Sequence, residues 1–207
     1  MFKYPKTLHF PWSPGLQNDD RLMPLLDVLE NFNGKEIIMT EKLDGENTSM
    51  YRDRIHARSL DSGHHPSRSW VKALHGEIKG NIPEGWRIVG ENCYAHHSIF
   101  YEGLDTYFYV FAIFDENNIC LSVDDTLVWC ELLGLTFVPI WYRGIFDLKT
   151  IQGWQIDLNT QEGYVVRNTA SYHYSQFQQN VAKYVRKGHI QTDQHWMSKP
   201  VVKNLIK

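Results

Sequence analysis

The sequence predicts an α+β fold, with mostly antiparallel sheets and helices on their flanks. Strand-like segments outnumber helical ones, and the helical segments are scattered among them instead of alternating in βαβ units. The chain also lacks both the GxxxxGK phosphate loop and the GxGxxG turn, which excludes Walker-type NTPases and doubly wound dehydrogenases. The first 35 residues form a leading segment with a short helix near Asp20–Glu30, whose start carries Asp19 and Asp20 where the helix dipole favours acids. Lys35–Thr40 and Thr48–Arg54 read as strands flanking a turn centred on Asp44-Gly45. Ser67–Lys79 reads as a helix: Ser67 stands at the cap, Trp70, Leu74 and Ile78 recur every four residues on one face, and Gly80 ends it. Arg87–Glu91 and Thr106–Asp115 are strands, the second apolar on both faces and therefore central. A further helix spans Asp124–Leu133, capped by Asp124 and ended by Gly134. Gly163–Arg167 and Val181–Arg186 are the last strands.

With 207 residues, no internal repeat and no Gly/Ser linker, the chain reads as one domain over 1–207. Its longest apolar run, Tyr107–Phe114, is eight residues, where a membrane span needs roughly 20. Met1–Gly15 holds three prolines and no apolar signal core. The cysteines, Cys93, Cys120 and Cys130, are odd in number and form no CxxC pair, which excludes a disulfide framework and a cysteine zinc site. A cytoplasmic protein with no membrane partner is expected. His64-His65 and His96-His97 are adjacent pairs that point apart on a strand, so they read as surface or core histidines, not metal ligands. The 28 aromatics can serve a core, a base-stacking surface, or both. The net charge of −3 conceals a basic C-terminal segment: residues 181–207 carry +5, from Lys183, Arg186, Lys187, Lys199, Lys203 and Lys207 against Asp193. Such a segment is either a phosphate-binding element or a solvated tail.

The chemistry concentrates in Thr40-Glu41-Lys42-Leu43-Asp44-Gly45-Glu46-Asn47. A lysine at a strand end, followed by a fixed Asp-Gly turn, is presented in one place. To act as a nucleophile it must lose its proton, which requires burial or a nearby cation to lower its pKa. K-x-D-G by itself also fits a surface lysine beside a hairpin turn. Further along come Arg58-Ser59, Gly90-Glu91-Asn92, Phe108 to Asp115, Glu162-Gly163-Tyr164-Val165-Val166-Arg167, and Ala182-Lys183-Tyr184-Val185-Arg186-Lys187. This ordered series resembles the covalent lysyl-nucleotidyltransferases, polynucleotide ligases and mRNA capping enzymes. Thr-Glu before the lysine, Asn five residues after it and the Glu-Gly-Tyr-Val-Val-Arg motif resemble most the ATP-dependent RNA ligases of the phage nick-sealing type.

The resemblance implies a nucleotidyltransferase fold, ATP with Mg²⁺ or Mn²⁺ as cofactors, and RNA with 5′-phosphate and 3′-hydroxyl ends as substrate. Lys42 would accept AMP, and Lys42, Asp44, Glu162 and Lys183 would form the catalytic set. Glu41 would accept a hydrogen bond from the adenine edge, Asn47 would order phosphate or ribose, and Arg58 would bind phosphate or the RNA end. Glu91 would hold the ribose hydroxyl. Phe108 would stack on adenine, with Phe111 as the fallback, because a one-residue slip turns the other strand face inward. Glu162 would hold the metal through water. Lys183, with Arg186 or Lys187, would neutralise the triphosphate.

Two features depart from the resembling ligases. Their last motif is K-x-K, whereas Tyr184, Val185 and Arg186 follow Lys183 here, so Arg186 and Lys187 share the role of second cation. Only 20 residues follow Lys187, too few for an appended OB-fold or helical domain. A catalytic-domain-only monomer is therefore expected, gripping RNA through that domain and the basic segment, with room for a separate RNA-recognition partner. Trp196 either stacks on a base or anchors the tail. The competing readings are a DNA ligase, a guanylyl-transferring relative, and a nucleic-acid-binding protein that keeps the fold without catalysis.

Overall fold

The structure, a computed structural model, describes residues 1–17, 19–188 and 200–207. Its strands are β1 (Leu8–His9), β2 (Glu36–Glu41), β3 (Glu46–Tyr51), β4 (Ile55–Ala57), β5 (Arg87–Asn92), β6 (Phe108–Phe114), β7 (Ile119–Cys120), β8 (Thr136–Phe137), β9 (Ile140–Ile145), β10 (Gly163–Asn168), β11 (Tyr172–His173) and β12 (Val181–Val185). The α-helices are α1 (Leu25–Phe32), α2 (Ser69–Ile78), α3 (Val123–Leu133), α4 (Leu148–Gln152) and α5 (Phe177–Asn180). The strands form one sheet in the order β1-β12-β10-β2-β9 and a second in the order β11-β7-β6-β5-β3-β4, with β8 beside β6. Pairing is antiparallel except at β1–β12 and β6–β8, so the fold is α+β with mostly antiparallel sheets.

Side-chain alternation gives each sheet an outer and an inner face. In the first sheet Ile37, Met39, Tyr164, Val166 and Ala182 face outward into a core with Phe10, Val28, Phe32 and Phe146. Their neighbours Ile38, Thr40, Val165, Arg167, Val181 and Lys183 turn inward and line a cavity. In the second sheet Met50, Ile88, Phe108, Val110 and Ile113 pack outward with Val71 and Ile78 of α2 and Cys130 of α3. Val89, Ala112 and Phe114 turn inward and meet Phe177 and Val181. The outer faces of the two sheets thus bury α1 to α4, while α5 packs with the inner faces, which close on each other.

The β5–β6 ladder shifts register between Val89 and Gly90, where Val89 pairs with Ala112 and Gly90 with Val110. Phe111 is the extra residue of this β-bulge, so Phe111 and Ala112 both face inward.

Helix boundaries differ from expectation for local reasons. The first helix begins at Leu25, with Pro24 at its N-cap, because the residue before a proline avoids the helical region; Asp20 stays outside it. Ser67 lies inside a 3₁₀ turn, Pro66–Arg68, and it is the His65 side chain that accepts from the Ser67 N–H. Ser122, not Asp124, caps α3 by accepting from the Asp125 N–H, and Gly134 ends that helix at φ +64°. β9 was absent from the sequence reading: it is an edge strand with mostly half-exposed side chains and no clean alternation. No helix among the described residues is long and apolar enough to cross a membrane.

Residues 200–207 return to the body. Asn204 is fully buried: its Nδ2 donates to the Cys93 and Ala95 carbonyls at 2.8 and 3.3 Å, and its Oδ1 accepts from the Tyr101 N–H at 3.0 Å. Its own carbonyl accepts from the Tyr107 hydroxyl at 2.9 Å. The loop 93–107 is thereby fastened, and the Tyr101 hydroxyl in turn accepts from the Asp44 N–H at 2.9 Å. Replacing Asn204 with Ala leaves buried carbonyls unpaired and should cost about 2–3 kcal/mol in urea unfolding. A loss under ~0.5 kcal/mol would mean the tail is not a brace.

Candidate active site

A cavity of about 480 Å³ opens between the inner faces of the two sheets. Lys42 follows β2 directly and remains on the ladder, its N–H donating to the Gly163 carbonyl at 3.0 Å. That register sets it beside Glu162, and Lys42 Nζ lies 2.5 Å from Glu162 Oε2. Asp44 is a clamp. Its Oδ2 accepts from the Ser98 N–H at 2.7 Å, the Ser98 hydroxyl at 2.6 Å and the Ile99 N–H at 2.9 Å. Gly45 is required by close approach, since a Cβ there would stand 2.6 Å from the Asn92 carbonyl oxygen. Asn47 pairs with Glu91 across β3–β5, and both face the cavity.

The electrostatics correct one expectation. Burial acts to lower the Lys42 pKa, but Glu162, Glu91 and Asp44 outweigh it and hold the ammonium above its ordinary value. The lysine is therefore protonated and paired with Glu162. Glu91 is pushed up to about 8 by burial, with Glu162 and Asp44 adding to the shift and Lys42 opposing it. Glu41 is pushed up to about 7 by burial. Lys183 is lowered by burial and by Lys42, against the pull of Asp20 and Glu162.

Of the expected site residues, Glu41, Lys42, Asn47, Arg58, Glu91 and Lys183 line the cavity, and Glu162 reaches it through Lys42. Asn47 Oδ1 and Arg58 Nε are buried with no hydrogen-bond partner among the described residues, polar atoms left for a polar ligand to satisfy. Three expectations fail. Phe108 is 1% exposed and packs in the outer core, away from the cavity. Phe111 lines the cavity instead, because the bulge turns it inward. Arg186 is buried, its Nε donating to the Gln161 carbonyl at 3.1 Å and its N–H to the Glu162 carbonyl at 3.0 Å. Lys187 is exposed, and neither cation lines the cavity. Trp196 and Lys199 lie outside the described residues.

The cavity also contains residues the sequence reading missed. Arg167, at the end of a motif already noted, donates from Nη1 to the carbonyl of the bulged Phe111 at 3.0 Å and from Nη2 to the Leu121 carbonyl. Glu46 is paired with Arg68, whose Nε donates to Oε2 at 2.7 Å. Val165, on the first sheet, lies in the same inner cluster as Phe111 on the second. Tyr4 packs edge-on against Phe111 with ring centroids 5.1 Å apart, and Lys6 lies beside it in the cavity wall. No local signal links Tyr4 or Lys6 to the site, because the parallel β1–β12 pairing carries them there.

A profile of the RNA ligase family matches residues 35–185. Among curated protein sequences nothing matches. Similar solved structures include a point mutant of Naegleria gruberi RNA ligase in its apo form, with TM-score 0.57 and 17% identity over 87% of this chain and 57% of that one. Another point mutant of that ligase, with ATP and Mn, has TM-score 0.56 and 18% identity over 89% and 60%. A putative ATP-dependent DNA ligase from Aquifex aeolicus has TM-score 0.56 and 19% identity over 90% and 50%. At such identities the likeness is one of fold, and this chain spans between half and three fifths of those proteins.

The raised Glu41 pKa makes a stability prediction. Unfolded, the carboxyl ionises near its ordinary value of 4.5, but folded only near 7. Its charge therefore costs stability that grows as pH rises between those values and is absent below them. Glu41→Gln should be more stable than wild type in urea at pH 8 and no more stable at pH 4.5. A difference independent of pH would mean the carboxylate is well solvated.

Proposed function

The chain belongs to the RNA ligase family, and from that premise we propose that it is an ATP-dependent RNA ligase acting through a lysyl-AMP intermediate on Lys42. The observation that carries this reading is the meeting of Lys42, Glu91 and Lys183 in one cavity, with Glu162 paired to Lys42 and with buried polar atoms of Asn47 and Arg58 that have no partner among the described residues. The apolar walls of Phe111 and Val165, from opposite sheets, suit the two faces of an adenine, with Glu41 on the cavity wall to accept from its amino edge. Glu91 would take the ribose hydroxyls, and Asn47 and Arg58 the phosphates.

The donor set fits a divalent cation held through water. Glu162 is a buried carboxylate beside the phosphate-binding lysines, and no three His, Cys, Asp or Glu among the described residues gather to bind an ion directly. Mg²⁺ or Mn²⁺ bound with the nucleotide would supply charge neutralisation on the phosphates.

Lys42 must lose its proton before it can attack. Glu162 is the direct contact that keeps the proton in place, so weakening it shifts the balance toward burial, with Glu91 and Asp44 left to oppose the loss. Lys42 Nζ then attacks the α-phosphorus in line: a P–N bond forms and the bond to pyrophosphate breaks. An RNA 5′-phosphate oxygen next displaces Lys42 from that phosphorus, breaking the P–N bond. Finally a 3′-hydroxyl attacks the 5′-phosphate, AMP departs and the strand is joined. Asp44 orders the turn behind Lys42, and Lys183 offsets charge developing on the phosphates.

Intact-protein mass spectrometry after incubation with ATP and Mg²⁺ should find one added AMP in wild type and none in Lys42→Ala. An added GMP from GTP, or no nucleotide at all after pyrophosphate stripping and reloading, would overturn the reading. Matched RNA and DNA nicks then test strand preference, with faster sealing of RNA expected. Phe111→Ala should slow adenylylation about tenfold by removing a stacking wall. Phe108→Leu should instead lower stability by about 1 kcal/mol and leave the adenylylation rate near wild type. The reverse ranking would restore Phe108 as the stacking residue.

A further inference from the structure

The second cation of the last motif does not reach the cavity from β12, since Val185 and Arg186 are buried elsewhere and Lys187 is exposed. The N-terminal segment supplies another ammonium at the same place. β1 lies parallel to β12 with His9 opposite Lys183, and this carries Lys6 to the cavity wall. Asp20 joins the two lysines: its Oδ1 stands 3.6 Å from Lys183 Nζ and 3.7 Å from Lys6 Nζ. Asp20 is held in turn, its Oδ2 accepting from the Gln17 N–H at 3.1 Å and facing His9 Nε2 at 3.1 Å. Its side chain is only 10% exposed. His9 is lowered to about 4, chiefly by burial and then by Lys183, so it adds no charge at neutral pH.

Lys6 and Lys183 thus share Asp20 as a common carboxylate, and a multiply charged anion in the cavity would attract both ammonium groups at once. The other partners of Lys6 are the carbonyl and carboxylate of Asp19, the latter at 2.5 Å. The Asp19 side chain is 83% exposed, and a solvated contact of that kind is surrendered at little cost. We infer that Lys6 is the second cation on the triphosphate, gripping the pyrophosphate end of ATP together with Lys183, and that Asp20 is the positioning residue that spaces the two. This rests on the ligase reading above. It assigns the role of the missing K-x-K lysine to a residue from the opposite end of the chain.

The test separates binding of ATP from binding of AMP, which lacks the phosphates in question. In the Lys42→Ala background, which cannot be adenylylated, titration calorimetry with Mg²⁺ would compare ATP and AMP with and without Lys6→Ala. ATP affinity should fall about tenfold, the worth of one charge-assisted contact, while AMP affinity moves less than twofold. Lys6→Arg should restore most of the ATP affinity, Asp20→Asn should weaken ATP in the same direction, and the exposed Lys149→Ala should change neither. Equal losses for ATP and AMP would make Lys6 a structural strap, and no loss would make it a surface ion pair. Either result overturns this inference while leaving the ligase reading intact. Failure of the protein with native Lys42 and Lys6 to bind ATP or gain AMP would instead overturn the ligase reading, and this inference with it.

Discussion

An ammonium brought between two sheets needs a carboxylate facing it, and the Lys42–Glu162 contact meets that need through strand register. β2 and β10 pair with Tyr164 opposite Glu41, so that Lys42 continues the ladder onto Gly163 and meets Glu162. β10 and β12 pair with Val165 opposite Lys183, which carries a second cation to the same level. Gly163 makes this close approach possible, since a Cβ there would stand 1.9 Å from the Tyr184 carbonyl oxygen. Three strands thus deliver three charges to one point, and none of the three positions can move without breaking ladder hydrogen bonds.

The cavity walls follow from the same economy. One residue in two on each strand builds an outer core, and the other half is left to line the space between the sheets. The bulge in β6 breaks this rule at the cavity, and Arg167 from the opposite sheet donates to the carbonyl of Phe111, the bulged residue. A buried guanidinium is costly unless hydrogen-bonded, so Arg167 and the bulge stabilise each other across the cavity. Sheet spacing and the orientation of Phe111 are therefore set together.

Both ends of the chain reinforce this centre. Residues 200–207 fasten the loop 93–107 through Asn204, and that loop grips Asp44 through Ser98, Ile99 and Tyr101. The N-terminal segment pairs with β12 and sets Tyr4 against Phe111 and Asp20 beside Lys183. The turn after Lys42 and the strand bearing Lys183 are each braced by residues more than 150 positions away in sequence.

Much of this was legible in advance. The strand–turn–strand around Lys42 was readable because local alternation and an Asp-Gly turn specify it, and the polar and charged positions Glu41, Asn47, Arg58, Glu91 and Lys183 were read from the order of motifs and do line the cavity. The start of α1 was legible too, in Pro24, but the acids at 19 and 20 drew the boundary too early; Asp20 turned out to serve the ion pairs and not the helix dipole. Phe108 against Phe111 could not be settled along the chain, because alternation assumes a regular ladder and a bulge is a property of the paired strands. Lys6, Tyr4 and Asn204 were invisible for a related reason: their positions depend on pairings between distant segments, which no local pattern encodes. Residue type and spacing were enough to place Lys42 at a strand end beside an Asp-Gly turn, and the ordered motifs carried the family resemblance. Which aromatic turns inward, which cation stands beside Lys183 and what holds Asp44 were decided by register and long-range contact, where a single added residue or a parallel pairing redirects a side chain.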